Sequence, residues 1–220
     1  MSEKKDKSTI EVTINGPYIA TEIKNFKNSK GENIQVKSPM ALCRCGGSST
    51  KPFCNGTHLK NNFKGNKKFF RPRDKVDVYK GKEITIYDNR GVCSHRGYCS
   101  DELPSVWRSD KKPWIDPDGA SVKEIIEICE KCPSGALSYS LPGEQRVQEV
   151  EGREAAISIS PNRFGTSGPY DITGSILFKD LKGTKPEAAE HYTLCRCGAS
   201  KNKPFCSGEH WHIKFIDDAN

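Results

Sequence analysis

Residues 43–58 read CRCGGSSTKPFCNGTH, and residues 195–210 read CRCGASKNKPFCSGEH. Three cysteines and a histidine hold the same relative positions in both: Cys43, Cys45, Cys54 and His58, then Cys195, Cys197, Cys206 and His210. Such a donor set, given twice, is a metal-ligand set, and soft thiolates with a borderline imidazole narrow the choice mainly to zinc or iron-sulfur. Zinc sites usually separate their paired cysteines by two or more residues, so Cys-x-Cys favours iron-sulfur. Cys54 and His58 stand four apart, on one face of a helical turn. Two ligands for each of two irons is the arithmetic of a 2Fe-2S centre. Gly46 and Gly47 permit unusual torsions and Pro52 fixes the chain before Cys54. Asn55 and Ser207, after the third cysteine, are expected helix N-caps.

Working outward, Cys43 and Cys195 are 152 residues apart, as are Gly16-Pro17-Tyr18 and Gly168-Pro169-Tyr170, and Phe63 and Phe215. This constant offset predicts a duplicated domain without net insertion, with copies at 8–68 and 156–220. Ile10, Val12 and Ile14 alternate as a half-buried strand does, ended by Asn15-Gly16-Pro17, and Ile157 with Ile159 repeats the pattern. Further short strands are expected around Tyr18–Ile23, Ile34–Val36 and Ile172–Phe178. The fold class expected is α+β: two small β-rich modules with an α+β domain between them.

That middle unit, 72–142, holds Cys93, Cys99, Cys129 and Cys132. Ile84–Tyr87 reads as a strand. Ser121–Lys131 reads as a helix, with Val122, Ile125, Ile126 and Cys129 on one face and a Ser121–Glu124 capping box. Cys132 precedes a proline, as the last ligand of ferredoxin clusters does. Three cysteines without a fourth suit a 3Fe-4S centre, or a 4Fe-4S centre with a substitute ligand. Cys129, one turn before Cys132, could reach the same metal, but its apolar helix face favours a small buried hydrophobe. The joints Asn61–Lys75 and Gly143–Arg153 are polar and read as linkers.

The chain has 220 residues, 34% of them hydrophobic, and a mean hydropathy of −0.71, which disfavours one large core and favours small units held by metal. Ten cysteines exceed ordinary cytosolic usage but are sparse for a secreted disulfide scaffold. The N-terminal MSEKKDKSTI lacks a signal-peptide core, and no run is long enough to cross a bilayer, so the expected location is cytoplasmic, without a membrane partner. A net charge of +7 favours solubility without pointing to nucleic acid. Phe63–Lys75 mixes basic residues with Phe69 and Phe70; the preferred reading is a solvated linker docking two aromatics, not a single-strand nucleic-acid surface. No nucleophile–base pair, phosphate-binding glycine loop or paired-carboxylate signature stands out, so an enzyme is not expected.

Both cysteine loops resemble the CDGSH iron-sulfur family, whose signature is C-x-C-x2-(S/T)-x3-P-x-C-D-G-x-H. Ser48 and Ser200, Pro52 and Pro204, and Gly56 and Gly208 stand at its other fixed positions, while Asn55 and Ser207 replace its Asp. The resemblance implies that Cys43 and Cys45 bind an inner iron and Cys54 and His58 an outer one, and likewise Cys195 and Cys197, then Cys206 and His210. ITIYDNRGVCSHRGYC, KPWIDPDGAS and CPSGALSYS together resemble the divergent single-cluster 4Fe-4S ferredoxin-like domains found beside CDGSH modules. Their first motif, C-x-H-x-G-x-C, falls on Cys93, His95, Gly97 and Cys99, which makes His95 the candidate fourth ligand beside Cys132, with Cys129 its rival. Trp107 and Trp114 would pack the small core. The resemblance also implies that the two copies pair as a pseudo-dimer, imitating the family's two-fold homodimer. The implied function is electron transfer by such a monomer with two 2Fe-2S clusters and one 4Fe-4S or 3Fe-4S cluster, with redox proteins or apo iron-sulfur acceptors as partners. The alternative is cluster storage, transfer or sensing, and a third reading is a zinc-stabilised interaction module.

Overall fold

The computed structural model describes residues 7–70 and 75–217. The expected start of the middle unit at 72, the end of the second copy at 220 and part of the second half of the basic-aromatic stretch lie outside the described residues.

The alternating Ile10 and Val12 form β1 (Thr9–Val12), which pairs antiparallel with β2 (Tyr18–Thr21). Ile14, expected inward, is 70% exposed. The strand ends at Val12 because the Thr13 N–H and hydroxyl both donate to Pro17 O and close the turn. The next strand, β3 (Asn25–Lys27), leaves its own copy and runs parallel to β8 (Ala156–Ile159) of the second. Reciprocally, β10 (Leu177–Asp180) runs parallel to β1. With β4 (Met40–Leu42), β9 (Tyr170–Thr173) and β11 (His191–Leu194), two four-stranded sheets result, ordered β10-β1-β2-β4 and β11-β9-β8-β3.

Each copy therefore completes the other's sheet, and both fill one core of Ile10, Tyr18, Phe26, Leu42, Ile157, Tyr170, Ile172 and Tyr192. A four-residue strand with free edges buries too little apolar surface alone, and exchange satisfies the edges and the core together. The Tyr18 hydroxyl donates to Cys195 O and Pro204 O, and the Tyr170 hydroxyl to Cys43 O and Pro52 O. The two copies are thus related reciprocally at the roots of the cysteine loops.

Three expectations change. Ile34–Val36 is not a strand; its side chains are half-buried against the core beyond a single bridge at Asn33, so the pattern marked burial and not pairing. The stretch Ile172–Phe178 splits at Gly174, at positive φ, where a Cβ would overlap the backbone of Ala155. The offset of 152 holds from Gly16 onward, but Ile157 follows Ile10 by only 147, so the first turn of the second copy is five residues longer.

The middle unit is a sheet ordered β5-β6-β7, from β5 (Val76–Lys80), β6 (Thr85–Asn89) and β7 (Leu137–Ser140), with α2 (Tyr98–Glu102) and α3 (Val122–Lys131). The capping box at Ser121 and Glu124 forms as expected. Ile125, Ile128 and Cys129 point into a core with Ile86, Trp107 and Ile115, while Val122, Ile126 and Trp114 stay half-buried at its rim. Gly143–Arg153 is not a free linker: Val147 bridges Tyr139, Gln148 donates to Gly135 O, and the Val150 N–H donates to Glu190. In the other joint the Lys68 N–H donates to Lys201 O. Phe69 and Phe70 meet edge to face at 93% and 87% exposure and do not dock. Among the described residues no helix is long and apolar enough to cross a membrane.

Candidate metal centres

Each cysteine loop springs from a strand end and folds back onto it. The Cys43 N–H donates to Pro52 O and the Cys54 N–H to Ala41 O, while Cys195 and Cys206 make the matching bonds to Pro204 O and Thr193 O. Ser48 and Ser200 pin the loops from inside, each hydroxyl donating across to a phenylalanine carbonyl, Phe53 or Phe205. These bonds explain the hydroxyl position of the motif: it closes a loop whose own N–H groups are committed elsewhere.

The donors come in pairs. Cys43 Sγ and Cys45 Sγ are 4.0 Å apart, and Cys195 Sγ and Cys197 Sγ 3.7 Å. Cys54 Sγ lies 3.4 Å from His58 Nδ1, and Cys206 Sγ 3.4 Å from His210 Nδ1. Two thiolates on one tetrahedral metal, with bonds of about 2.3 Å, sit roughly 3.8 Å apart, and a thiolate with an imidazole at about 2.0 Å roughly 3.5 Å apart. Each pair fits one metal. Among the described residues, the one set of three possible donors within 4.8 Å of one another is Glu149, Glu190 and His191, so no three of these cysteine and histidine donors converge. That acidic trio is already engaged: Glu149 accepts from the Ala189 and Glu190 N–H groups, and Glu190 faces Arg153.

Helix α1 (Thr57–Lys60) and helix α4 (Glu209–His212) carry the histidines. Their N-caps are Gly56 and Gly208, both left-handed, and not Asn55 and Ser207 as expected. The glycine N–H groups donate instead to Cys54 Sγ and Cys206 Sγ at 3.5 Å, and the Gly47 N–H to Cys45 Sγ at 3.4 Å. Hydrogen bonds to sulfur of this kind are one of the features that tune an iron-sulfur centre. Asn55 Oδ1 accepts from the Thr57 N–H and hydroxyl, whereas the Ser207 hydroxyl accepts from the Lys201 N–H inside the loop. The two substitutions for Asp thus do different jobs.

The copies also differ in cover. Cys54 and His58 are half-buried, while Cys206 and His210 are 2% and 4% exposed. Burial first, then the neighbouring His95 and Arg196, pushes the His210 imidazole down to about 4. Its neutral ring is therefore the form present at neutral pH, and neutral imidazole is the metal-binding form. Lys51 and the buried Lys203 each donate to the loop serine carbonyl, and the Lys203 ammonium also acts on the Cys195 thiol.

In the middle unit Cys93, Cys99 and Cys132 line one cavity with Arg90, Ser134 and Asp88. Burial pushes the Cys93 thiol up to about 11 and the Cys99 thiol to about 12, Cys132 adding to both. Three cysteines gathered at one buried cavity are the soft donor set that an iron-sulfur centre takes. Arg90 Nη1 donates to Cys93 Sγ at 3.5 Å, and Cys132 Sγ lies 3.6 Å from the Ser134 hydroxyl. Cys129 is not at this cavity; it is buried 4.0 Å from Ser138 O. His95 is not among the residues lining it either: Nδ1 lies 3.2 Å from Cys93 O, Nε2 3.4 Å from Arg90 Nη2, and the ring lies against Gly208. Sequence reasoning passed over Arg90, Ser134 and the two lysines, since single basic or hydroxyl residues carry no spacing signal.

The chain matches the family model described as iron-binding zinc finger CDGSH type at residues 15–59 and again at 167–211. It matches the one described as divergent 4Fe-4S mono-cluster at 79–142. The uncharacterized protein YjdI of Escherichia coli strain K12 is 38% identical over 61 residues, 28% of this chain and 80% of that protein. The protein of the same name from Escherichia coli O157:H7 matches to the same extent. No solved structure matches the chain.

Proposed function

Because this chain belongs to the CDGSH-type iron-binding family, with a divergent 4Fe-4S mono-cluster domain between its two copies, we propose that it is a multi-cluster electron carrier and not an enzyme. The reading assigns one 2Fe-2S cluster to Cys43, Cys45, Cys54 and His58, and another to Cys195, Cys197, Cys206 and His210. A 4Fe-4S or 3Fe-4S cluster falls to Cys93, Cys99 and Cys132. The carrying observation is the pairing of donors at single-metal spacing with no three converging, which suits two metals per loop and does not suit one zinc. When bound, such clusters supply one-electron storage at potentials set by ligands, hydrogen bonds and exposure. The chain holds and tunes them: glycine N–H groups and, in the second copy, Lys203 offset thiolate charge, and the histidine removes one negative ligand from each outer iron. The protein works as a monomer with an internal pseudo-two-fold, serving redox partner proteins.

Anaerobically purified protein is expected to contain iron and acid-labile sulfide and to show three redox components in an EPR-monitored titration. His58→Cys and His210→Cys should each lower one potential, by on the order of 100 mV, since imidazole-for-thiolate ligation raises it. Iron without sulfide, zinc alone, or no shift in either variant defeats the carrier reading.

Cluster donation is a second reading, favoured at the first copy alone by the exposure of Cys54 and His58. It expects cluster to appear in added apo-ferredoxin with loss of the component that His58→Cys shifts, while the component tied to His210 stays. Retention of both through repeated reduction and reoxidation would exclude it.

A further inference from the structure

We propose that His95 couples the middle site to the second Cys3His site, making that pair one internal unit and leaving the first Cys3His site as the port to outside partners. The proposal rests on the electron-carrier reading above.

The middle unit is fastened to the second copy. The longer first turn of that copy, absent from the first, sends Arg163 to Arg96 O at 2.6 Å and to the Asp101 carboxylate, and sets Phe164 edge-on to Trp211 at 5.6 Å. Gly97 makes room, because a Cβ there would fall on the Arg163 guanidinium. Asn202, in the second cysteine loop, donates to Gly91 O at 2.9 Å, just before Cys93. The five extra residues thus act as a clamp, and they explain why only one of two near-identical cysteine loops is covered.

Between the clamped sites stands one imidazole. The His95 backbone N–H donates to Cys93 Sγ at 3.4 Å, and its ring Nδ1 lies 3.2 Å from Cys93 O. Its ring packs directly on Gly208, where a Cβ would come within 2.7 Å of Cε1. The Gly208 N–H in turn donates to Cys206 Sγ at 3.5 Å. A thiol of the middle site and a thiol of the second site are therefore joined through His95, whose backbone N–H meets the first and whose ring rests on the glycine peptide that meets the second. At the matching position of the first copy, Gly56, a Cβ would meet nothing within 4 Å. One electron leaves one site and reduces the other by one; no bond forms or breaks, and a one-electron carrier protein is the source.

The test uses the holoprotein, reduced stepwise with dithionite, with relaxation of each EPR signal measured before and after the middle site is reduced. The signal altered by His210→Cys is expected to relax several-fold faster once the middle site is paramagnetic, and the signal altered by His58→Cys to stay unchanged. His95→Ala should keep iron and sulfide at wild-type content while slowing electron exchange between the two coupled sites several-fold after flash reduction. Gly208→Ala, which displaces the ring, should also slow exchange, and Gly56→Ala, with the same backbone penalty in open space, should not. Equal coupling of both outer signals, or of neither, overturns the proposal. So does unchanged exchange in His95→Ala, and so does loss of middle-site iron in that variant, which would make His95 a ligand and not a spacer. If three clusters titrate but stay uncoupled, only this inference fails; if iron and sulfide are absent, the carrier reading fails with it.

Discussion

Gly46→Ala and Gly198→Ala are each expected to destabilise the protein by about 2–5 kcal/mol, combining left-handed backbone strain with overpacking, and to empty both Cys3His sites together. The two glycines face each other's loops across the pseudo-two-fold. A Cβ on Gly46 would come within 2.8 Å of the Cys197 carbonyl carbon, and one on Gly198 within 2.8 Å of that of Cys45. Both glycines have positive φ, 76° and 79°, and Cys45 and Cys197 themselves form a bridge. The obstructing atoms are backbone of ligand-bearing residues, so relief means moving a donor in the opposite copy. Chemical denaturation read alongside iron-to-protein ratio checks this. Gly56→Ala, also at positive φ but in open space, should cost only about 1–2 kcal/mol. Equal losses in Gly46→Ala and Gly56→Ala would mean that the contact between loops is not tight.

Asp217→Asn should cost about 3–5 kcal/mol, because it leaves a buried guanidinium without its counter-charge. Arg196 and Asp217 form an ion pair with side chains 1% and 3% exposed. Arg196 Nε also donates to Gly168 O, and the group lies over the rings of Tyr170 and Phe215. Its counterpart Arg44 meets carbonyls instead, donating to Thr13 O and Gly65 O at the matching turn. Thermal unfolding should therefore show a large drop for Asp217→Asn, accompanied by faster iron loss from the second site than from the first. A change within about 0.5 kcal/mol, as surface substitutions give, would show that the pair carries no weight.

Much of the candidate site was legible because thiolate chemistry and spacing are local properties. Cys-x-Cys and Cys-x3-His place two donors side by side whatever surrounds them, and the observed 3.4–4.0 Å separations follow. The capped helix α3 was equally local, since Ser121, Glu124 and the apolar stripe all lie within three turns. The helix caps at the metal loops were misplaced by one residue because side-chain propensity favours Asn55 and Ser207, whereas the glycine N–H groups gain a thiolate acceptor only at their own positions. Ile14 fell outside because a turn hydrogen bond at Thr13 ended the strand before the alternation did.

The sequence by itself determined the duplication, the paired spacing of the candidate donors in each cysteine loop, the middle unit and its helix. What only the tertiary structure decided is non-local: the exchange of β3 and β10 between sheets, the single shared core, the clamp built from five inserted residues, and the burial of one cysteine loop while its twin stays open. Ligand spacing is set by a few covalent bonds. Which edge a three- or four-residue strand takes, and which loop a neighbouring unit covers, depends on the apolar area and hydrogen bonds recovered between segments far apart in the chain, and short strands read nearly alike until those partners meet.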